Sequence, residues 1–430
     1  MLRKKGLRFI LLVLLISMAV VPAGVHAAAT EPLIERTTVS GMTILLEKTP
    51  SEMVEIALLL KSGSGLDPAG RKGAAQIMNN LVLLRLKFGG TELGDVGVET
   101  YPDYTLVRIR TDAANAGTAL TDIKELLTYP LYSYDVIADL KQLYGVDIKA
   151  LPALARSYYE FNRQFYGADH PYNDELSSEM IAKVTGTDVY QWYRRTYQPG
   201  NALLSISGGY GKSLAELEKF FANLPTEPVD HRLLVRPVTI AQDRQLDRTD
   251  PNGRITSLTI GFPGPRLQDP EFPAFRIIAY YLDDYQHYFE ELRVKQALFY
   301  TSQVVYNYLE KPKAPSFVFV TMTNQQSLPR VEAETLRVVK DLADHGIPQD
   351  EIAKVTTAIA AELDARKQDG KGLALRNLLG FYLESQLVDD EQLLPRLKQV
   401  TTADIQKAAA KYLQHYIRVA YIPDKLADDF

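Results

Sequence analysis

Apolar residues recur along the chain with a period of two in some stretches and of three to four in others, and the two kinds of stretch alternate. Met42-Thr-Ile-Leu-Leu-Glu47 and Val54-Glu-Ile-Ala-Leu-Leu-Leu60 predict strands, the second ending in the turn Ser62-Gly-Ser-Gly65. A helix is predicted from about Lys72, and Tyr104-Thr-Leu-Val-Arg-Ile-Arg110 alternates as a half-buried strand does.

The pattern occurs twice. Val184-Thr-Gly-Thr-Asp188-Val189 leads into a helix closing at Tyr197, and Val400-Thr-Thr-Ala-Asp404-Ile405 into one closing at Tyr412. Each helix feeds an apolar strand, Ala202-Leu-Leu-Ser-Ile206 or Ile417-Arg-Val-Ala-Tyr421. In both copies a threonine is placed to cap the helix, with an aspartate near the positive end of its dipole. The offset between the copies is close to half of the chain, which predicts duplication of a whole domain. Pro225, Pro228 and Pro237 mark a linker, and Ile255-Thr-Ser-Leu-Thr-Ile-Gly261 reads as the first strand of the second half. The expected division is an export signal at 1–27, a first domain at 28–224, a linker at 225–250 and a second domain at 251–430.

The export signal changes where the protein is expected to work. Arg3, Lys4, Lys5 and Arg8 precede an apolar run from Phe9 to Val21, and Val25-His26-Ala27 carries small residues at the positions a signal peptidase reads. The run is shorter than the roughly 20 residues that span a bilayer, so cleavage is expected rather than anchoring, with no membrane span afterwards and a periplasmic or secreted product. Cysteine is absent, which excludes disulfides and a lipidated cysteine. The net charge of −5 becomes more negative once four basic residues leave with the signal, so nucleic acid is not an expected partner.

Two glycine turns resemble phosphate loops and lack the parts. Gly65-Leu-Asp-Pro-Ala-Gly70 is followed by Arg71 and Lys72 where Lys and Ser/Thr are needed, and Gly211-Lys212-Ser213 has Ile206 in place of the leading glycine. Ser213 and Glu216 instead have the spacing of a capping box. His170, His231, His287, His345 and His415 include no pair three to five residues apart, so no helical zinc site of the usual kind can be built locally. His170-Pro-Tyr172 reads as a loop feature. On the helix from Lys72, Gln76, Asn79 and Asn80 share one face while Ile77, Met78, Leu81 and Leu84 form the other. Spacing alone predicts a solvated polar stripe.

Lys61-Ser-Gly-Ser-Gly65, the turn through Asp67 and Gly70, and Gly73-Ala-Ala-Gln76-Ile-Met-Asn79-Asn80 resemble the opening of the M16 (insulinase/pitrilysin-like) metallopeptidases. In that family a helix carries Gly-x-Ala-His-x-x-Glu-His, whose histidines bind zinc and whose glutamate polarises water. Here Gln76 and Asn80 stand at the histidine positions and Asn79 at the glutamate. Tyr166-Gly-Ala-Asp-His170-Pro-Tyr172, the stretch from Val184 to Gly209, Gly261-Phe-Pro-Gly264 and the stretch from Val400 to Pro423 are similar to family landmarks in family order. Asp283-Asp284 and Ala297 depart from it where glycines are usual.

The resemblance implies an α+β fold of two homologous α/β sandwich domains of the LuxS/MPP-like type, each a mainly antiparallel sheet covered by helices. It places a third ligand, a glutamate, near Gln142 to Asp147, where this chain has none. Amides are weak donors to a divalent ion and cannot take a proton from water near neutral pH, so no metal or other cofactor is expected on this chain. Leu292-Arg293-Val-Lys-Gln-Ala-Leu-Phe-Tyr300 is similar to the element that carries the family's arginine and tyrosine, which reach the substrate carbonyl or its oxyanion. The resulting expectation is a non-zinc subunit, with zinc on a partner M16 homologue or on no subunit if the chain pairs with itself. Arg293 and Tyr300 would then assist peptide hydrolysis in trans. The alternative is a catalytically silent structural or peptide-binding protein, with Arg293 a surface residue paired to Glu290 and Tyr300 a core-edge aromatic.

Overall fold

The period-two segments assemble into two sheets. The structure, a computed structural model, describes residues 34–68, 70–89, 93–128, 134–144, 151–167, 170–173, 176–226, 238–251, 253–283, 286–308, 314–369, 372–384 and 390–424. The expected signal at 1–27 and His231 lie outside them.

The first sheet holds β1 (Ile34–Val39), β2 (Met42–Lys48), β3 (Met53–Leu60), β4 (Asp95–Thr100), β5 (Thr105–Asp112) and β6 (Ala202–Gly208) in the order β1-β2-β6-β3-β5-β4. The second holds β7 (Arg244–Asp250), β8 (Thr256–Pro263), β9 (Thr301–Tyr306), β10 (Ser316–Thr323) and β11 (Ile417–Pro423) in the order β7-β11-β8-β10-β9. The first half supplies helices α1 (Ala74–Phe88), α2 (Ala116–Leu126), α3 (Tyr134–Tyr144), α4 (Ala153–Tyr166), α5 (Ser178–Ala182), α6 (Gly186–Thr196) and α7 (Leu214–Phe221). The second half supplies α8 (Phe272–Leu282), α9 (His287–Phe289), α10 (Leu328–Asp344), α11 (Gln349–Asp369), α12 (Leu373–Glu384), α13 (Asp390–Lys398) and α14 (Thr402–Tyr412). No helix among the described residues is long and apolar enough to cross a membrane.

Duplication is written into the pairing. β6 runs parallel to β2 and antiparallel to β3, and β11 runs parallel to β7 and antiparallel to β8. The second sheet thus retraces β2-β6-β3-β5-β4 strand for strand, and both sheets are mainly antiparallel. The Thr185/Asp188 and Thr401/Asp404 pairs both form reciprocal capping boxes at the starts of α6 and α14.

Two strands depart from the sequence reading. β7 lies within the stretch expected to be linker, residues 225–250, and β1 precedes the strand expected to come first. β7 reads Arg-Gln-Leu-Asp-Arg-Thr-Asp and pairs on one side only among the described residues, so its charges other than Asp250 reach solvent and the apolar alternation that marks a half-buried strand is missing. β1 closes on β2 through Ser40 and Gly41, both with positive φ, as a two-residue hairpin turn requires.

Each sheet has two faces, and a half's own helices cover one of them. Ile44, Ile56, Leu58 and Val107 pack under α1, α2 and α6 in the first core, and Leu258, Ile260, Phe317 and Phe319 under α8, α10 and α14 in the second. The other face is closed by exchange: α4 of the first half lies on β8, β10 and β11, and α12 of the second half lies on β2, β3 and β6. Phe161 and Phe165 of α4 pack against Val318, Val320, Ile417 and Val419, while Ala374, Leu378 and Leu379 of α12 pack against Ala57, Leu59, Leu106 and Leu203.

The α4 crossing leaves no room on the strand below. A Cβ on Gly261 of β8 would stand 2.3 Å from the Phe161 ring. Gly261→Ala is expected to cost about 1–3 kcal/mol through this overpacking, read as a lower urea midpoint that Phe161→Leu partly restores.

Both exchanged helices are also held by buried polar groups. Gly372 and Ala374 at the start of α12 donate their backbone N–H groups to Glu55 on β3, each at 3.0 Å, and Asn377 donates to Glu47 on β2 at 2.6 Å. On α4, Arg156 pairs with Asp250, and Ser157 accepts from Thr259 at 2.9 Å.

Burial raises the Glu55 carboxyl above its ordinary 4.5, against the lowering effect of the two backbone donors and of Arg108 and Arg110. A carboxyl that is harder to ionise in the folded chain contributes most below its unfolded value, and that contribution is lost as pH rises from 4.5 through the raised folded value. Stability should fall across that window, and Glu55→Gln should flatten the fall in a series of denaturant titrations at different pH.

Candidate functional site

The α1 helix, which carries the three amides, is set by the loop before it. β3 ends at Leu60 and the chain turns through Gly63, whose Cβ would lie 1.8 Å from the Tyr101 carbonyl oxygen, so only glycine fits that approach. Ser64 and Gly65 then donate backbone N–H groups to the carbonyls of Tyr101 and Pro102. Asp67 caps α1, its two oxygens accepting from the N–H groups of Gly73 at 2.6 Å and Ala75 at 2.8 Å. Arg71 makes a two-pronged pair with Asp188 at 2.8 and 3.0 Å, and Lys72 donates to the Asn173 carbonyl. The two cations that follow the Gly65–Gly70 turn are thus committed to the fold. In the Gly211 turn, Ser213 joins Glu216 in the capping box of α7.

The expected solvated stripe is instead buried. Asn79 is 1% and Asn80 7% exposed, with Gln76 half-buried, because β4, β5 and α6 close over that face of α1. Asn79 donates to the Thr100 hydroxyl at 2.7 Å and the Thr105 hydroxyl at 3.1 Å, and accepts from the Tyr197 hydroxyl at 2.8 Å. Thr105 passes the chain on to the Ser62 carbonyl, and Asn201 donates to the Ser62 hydroxyl at 2.8 Å and the Thr196 carbonyl. Asn80 turns its amide back to the Gln76 carbonyl at 2.7 Å. Burial pushes the Tyr197 hydroxyl far above its usual range, so it remains a neutral donor.

This is a poor place for zinc. Both N–H groups and the oxygen of Asn79 are already used, in a network that needs a group able to donate and accept at once, as an amide can and a carboxylate cannot. Among the described residues no three His, Asp or Glu side chains gather where a metal ion could sit. Of the segment where the third ligand would fall, Gln142 to Tyr144 end α3 with side chains outside the described set, and residues 145–147 lie outside it altogether.

In the second half, α9 runs into a wide π-type turn over Glu290–Val294, which plants Leu292 in the core and leaves Arg293 half-exposed. Leu298 and Phe299 are buried and Tyr300 is 55% exposed. Arg293 makes no ion pair with Glu290; the neighbouring Glu291 pairs with Lys295. Ala297 has φ 53°, a left-handed backbone, at the position where the resemblance leads one to expect glycine. Asp283 accepts the Val304 N–H at 3.1 Å, tying the end of α8 to β9, while Asp284 is outside the described residues. No hydrogen bond or ion pair among the described residues joins Arg293 or Tyr300 to Gln76, Asn79 or Asn80. His170 accepts the Tyr172 N–H at 3.1 Å and lies against Tyr166 in its loop.

Spacing had no means of finding the partners of Asn79, or a tyrosine-walled opening that lies between the halves. Residues 183–359 match the family model described as the peptidase M16 inactive domain. No curated protein matches the chain. The solved structure of a peptidase M16 inactive domain from Pseudomonas fluorescens is 19% identical, covers 92% of this chain and 100% of its own, and superposes with a TM-score of 0.79. A protease from Helicobacter pylori is 17% identical over 91% of this chain and 100% of its own, with a TM-score of 0.78. The periplasmic protease PqqL from Escherichia coli is 16% identical with a TM-score of 0.72, covering 92% of this chain but 47% of its own length. Residues 183–359 thus match the peptidase M16 inactive-domain model, and over both halves the chain shares its fold with the solved structure of such a domain.

Proposed function

We propose that the chain is the non-zinc subunit of a two-component M16-type peptidase outside the cytoplasm, contributing chamber wall and the Arg293/Tyr300 pair to a zinc-bearing partner of the same fold. One contrast carries the reading. Asn79, at the glutamate position, is locked into an internal hydrogen-bond network and Asn80, at a histidine position, turns back on the Gln76 carbonyl, whereas Tyr300 is open to solvent and Arg293 has no ion-pair partner among the described residues. A guanidinium and a phenol suit developing negative charge on a peptide carbonyl. The length of PqqL, about twice that covered here, supports a pairing of two such units, and its periplasmic setting supports the export signal.

Mixing the chain with a zinc-bearing M16 homologue from the same genome should raise peptide cleavage above that of the homologue alone. Arg293→Ala should lower the kcat of the mixture roughly 10- to 100-fold, the scale for losing one donor to an oxyanion. A mixture no faster than the homologue alone would sink the reading. A faster mixture indifferent to Arg293→Ala and Tyr300→Phe would leave a silent, peptide-binding or structural subunit.

A further inference from the structure

We infer that the cleft between the two halves holds a binding site for one uncharged aromatic side chain of a peptide. The inference rests on the peptide-handling role proposed above and extends it to what is recognised. A cavity of about 310 Å³ opens where the two halves meet. Tyr101 and Tyr104 wall it from the β4–β5 turn, Tyr306 and Tyr308 from the end of β9, and Leu375 and Leu379 from the exchanged helix α12.

The walls come in ring pairs. Tyr101 and Tyr104 stack with centroids 4.3 Å apart and planes 20° from parallel, and Tyr306 and Tyr308 lie 5.0 Å apart. Among the described residues no carboxylate, ammonium or guanidinium lines it, and Asn307 is the one amide, already bonded through Nδ2 to Tyr158 and Ser316. An anion would lose its hydration here with nothing in return, whereas an aromatic ring would meet ring faces and edges on two sides. Interiors are close-packed, and an apolar opening of this size at a domain junction has the dimensions of a ligand pocket.

The position fits a peptide that also reaches the Arg293/Tyr300 element. β9 begins immediately after Tyr300 and ends at Tyr306, so the pocket lies about 20 Å from Tyr300 along the strand, the span of about six residues of extended chain. On the other side, Tyr101 directly follows Thr100, which accepts from Asn79, so the pocket adjoins the network of α1.

N-acetyl-phenylalaninamide and N-acetyl-alaninamide, titrated against the full chain by saturation-transfer NMR, test the site. The phenylalanine probe should bind about tenfold or more tightly than the alanine probe, the scale for burying one aromatic side chain. Leu375→Trp, which fills the opening, should reduce that preference to near unity at an unchanged Tm. If that variant does not fold, Tyr308→Ala, which removes one half-buried wall, should weaken the phenylalanine probe several-fold. Equal affinity for the two probes, or a preference that survives the folded Leu375→Trp variant or Tyr308→Ala, overturns the site. Neither outcome touches the mixing experiment, which reads the proposed subunit role separately.

Discussion

Residues 1–226 and 238–430, produced as separate chains, are each expected to aggregate or bind a dye for exposed apolar surface, and to become soluble when produced together. The reason is the exchange of α4 and α12. Without the second half, Leu59, Tyr104, Leu106 and Leu203 lose their cover, and without the first, Val318, Val320, Ile417 and Val419 lose theirs. At about 1.5–3 kcal/mol for each large apolar side chain, the loss is on the order of 10 kcal/mol per half, comparable with the whole stability of an ordinary domain. Glu47 and Glu55 would in addition face water without α12, and the α4 residues Phe161 and Phe165 would have no sheet to lie on. A half that stayed soluble, monomeric and cooperative in urea on its own would contradict this account.

Asn79→Ala is expected to destabilise the protein by about 3 kcal/mol, since it strands the fully buried Tyr197 hydroxyl and removes donors from two threonines. For a cooperative unit of 150–250 residues that is a fall in Tm of roughly 6–12 °C. Gln76→Ala, one turn away and half-buried, should cost less than about 1 kcal/mol. Equal effects of the two, measured by calorimetry, would mean that Asn79 is a relic of the zinc motif rather than a support of the fold.

The sequence displays what is local. Alternation placed β2, β3 and β5, and the Thr/Asp spacing placed both helix caps, because each signal lies within one or two turns of chain; the recurrence of those caps half a chain apart then exposed the duplication. It conceals what depends on distant partners. Asn79 meets groups 21, 26 and 118 residues away, so a stripe that looks solvated by spacing is roofed by β4, β5 and α6. The apolar face of α4 is equally plain in sequence, yet nothing in it tells which of two sheets it will cover. β7 was hidden for another reason, as an edge strand rich in charge looks like linker.

Among the described residues β1 has no counterpart in the second sheet, which leaves the two borders unequal. In the first sheet the hairpin strand β1 shields β2, while in the second β7 stands outermost on that side. Arg244, Asp247, Arg248 and Asp250 occupy that rim, with Asp247 held by Arg418 and Arg248 by Glu160. A row of anchored charges is a poor template for another molecule's backbone, so electrostatics discourages neighbouring molecules from zipping onto this border.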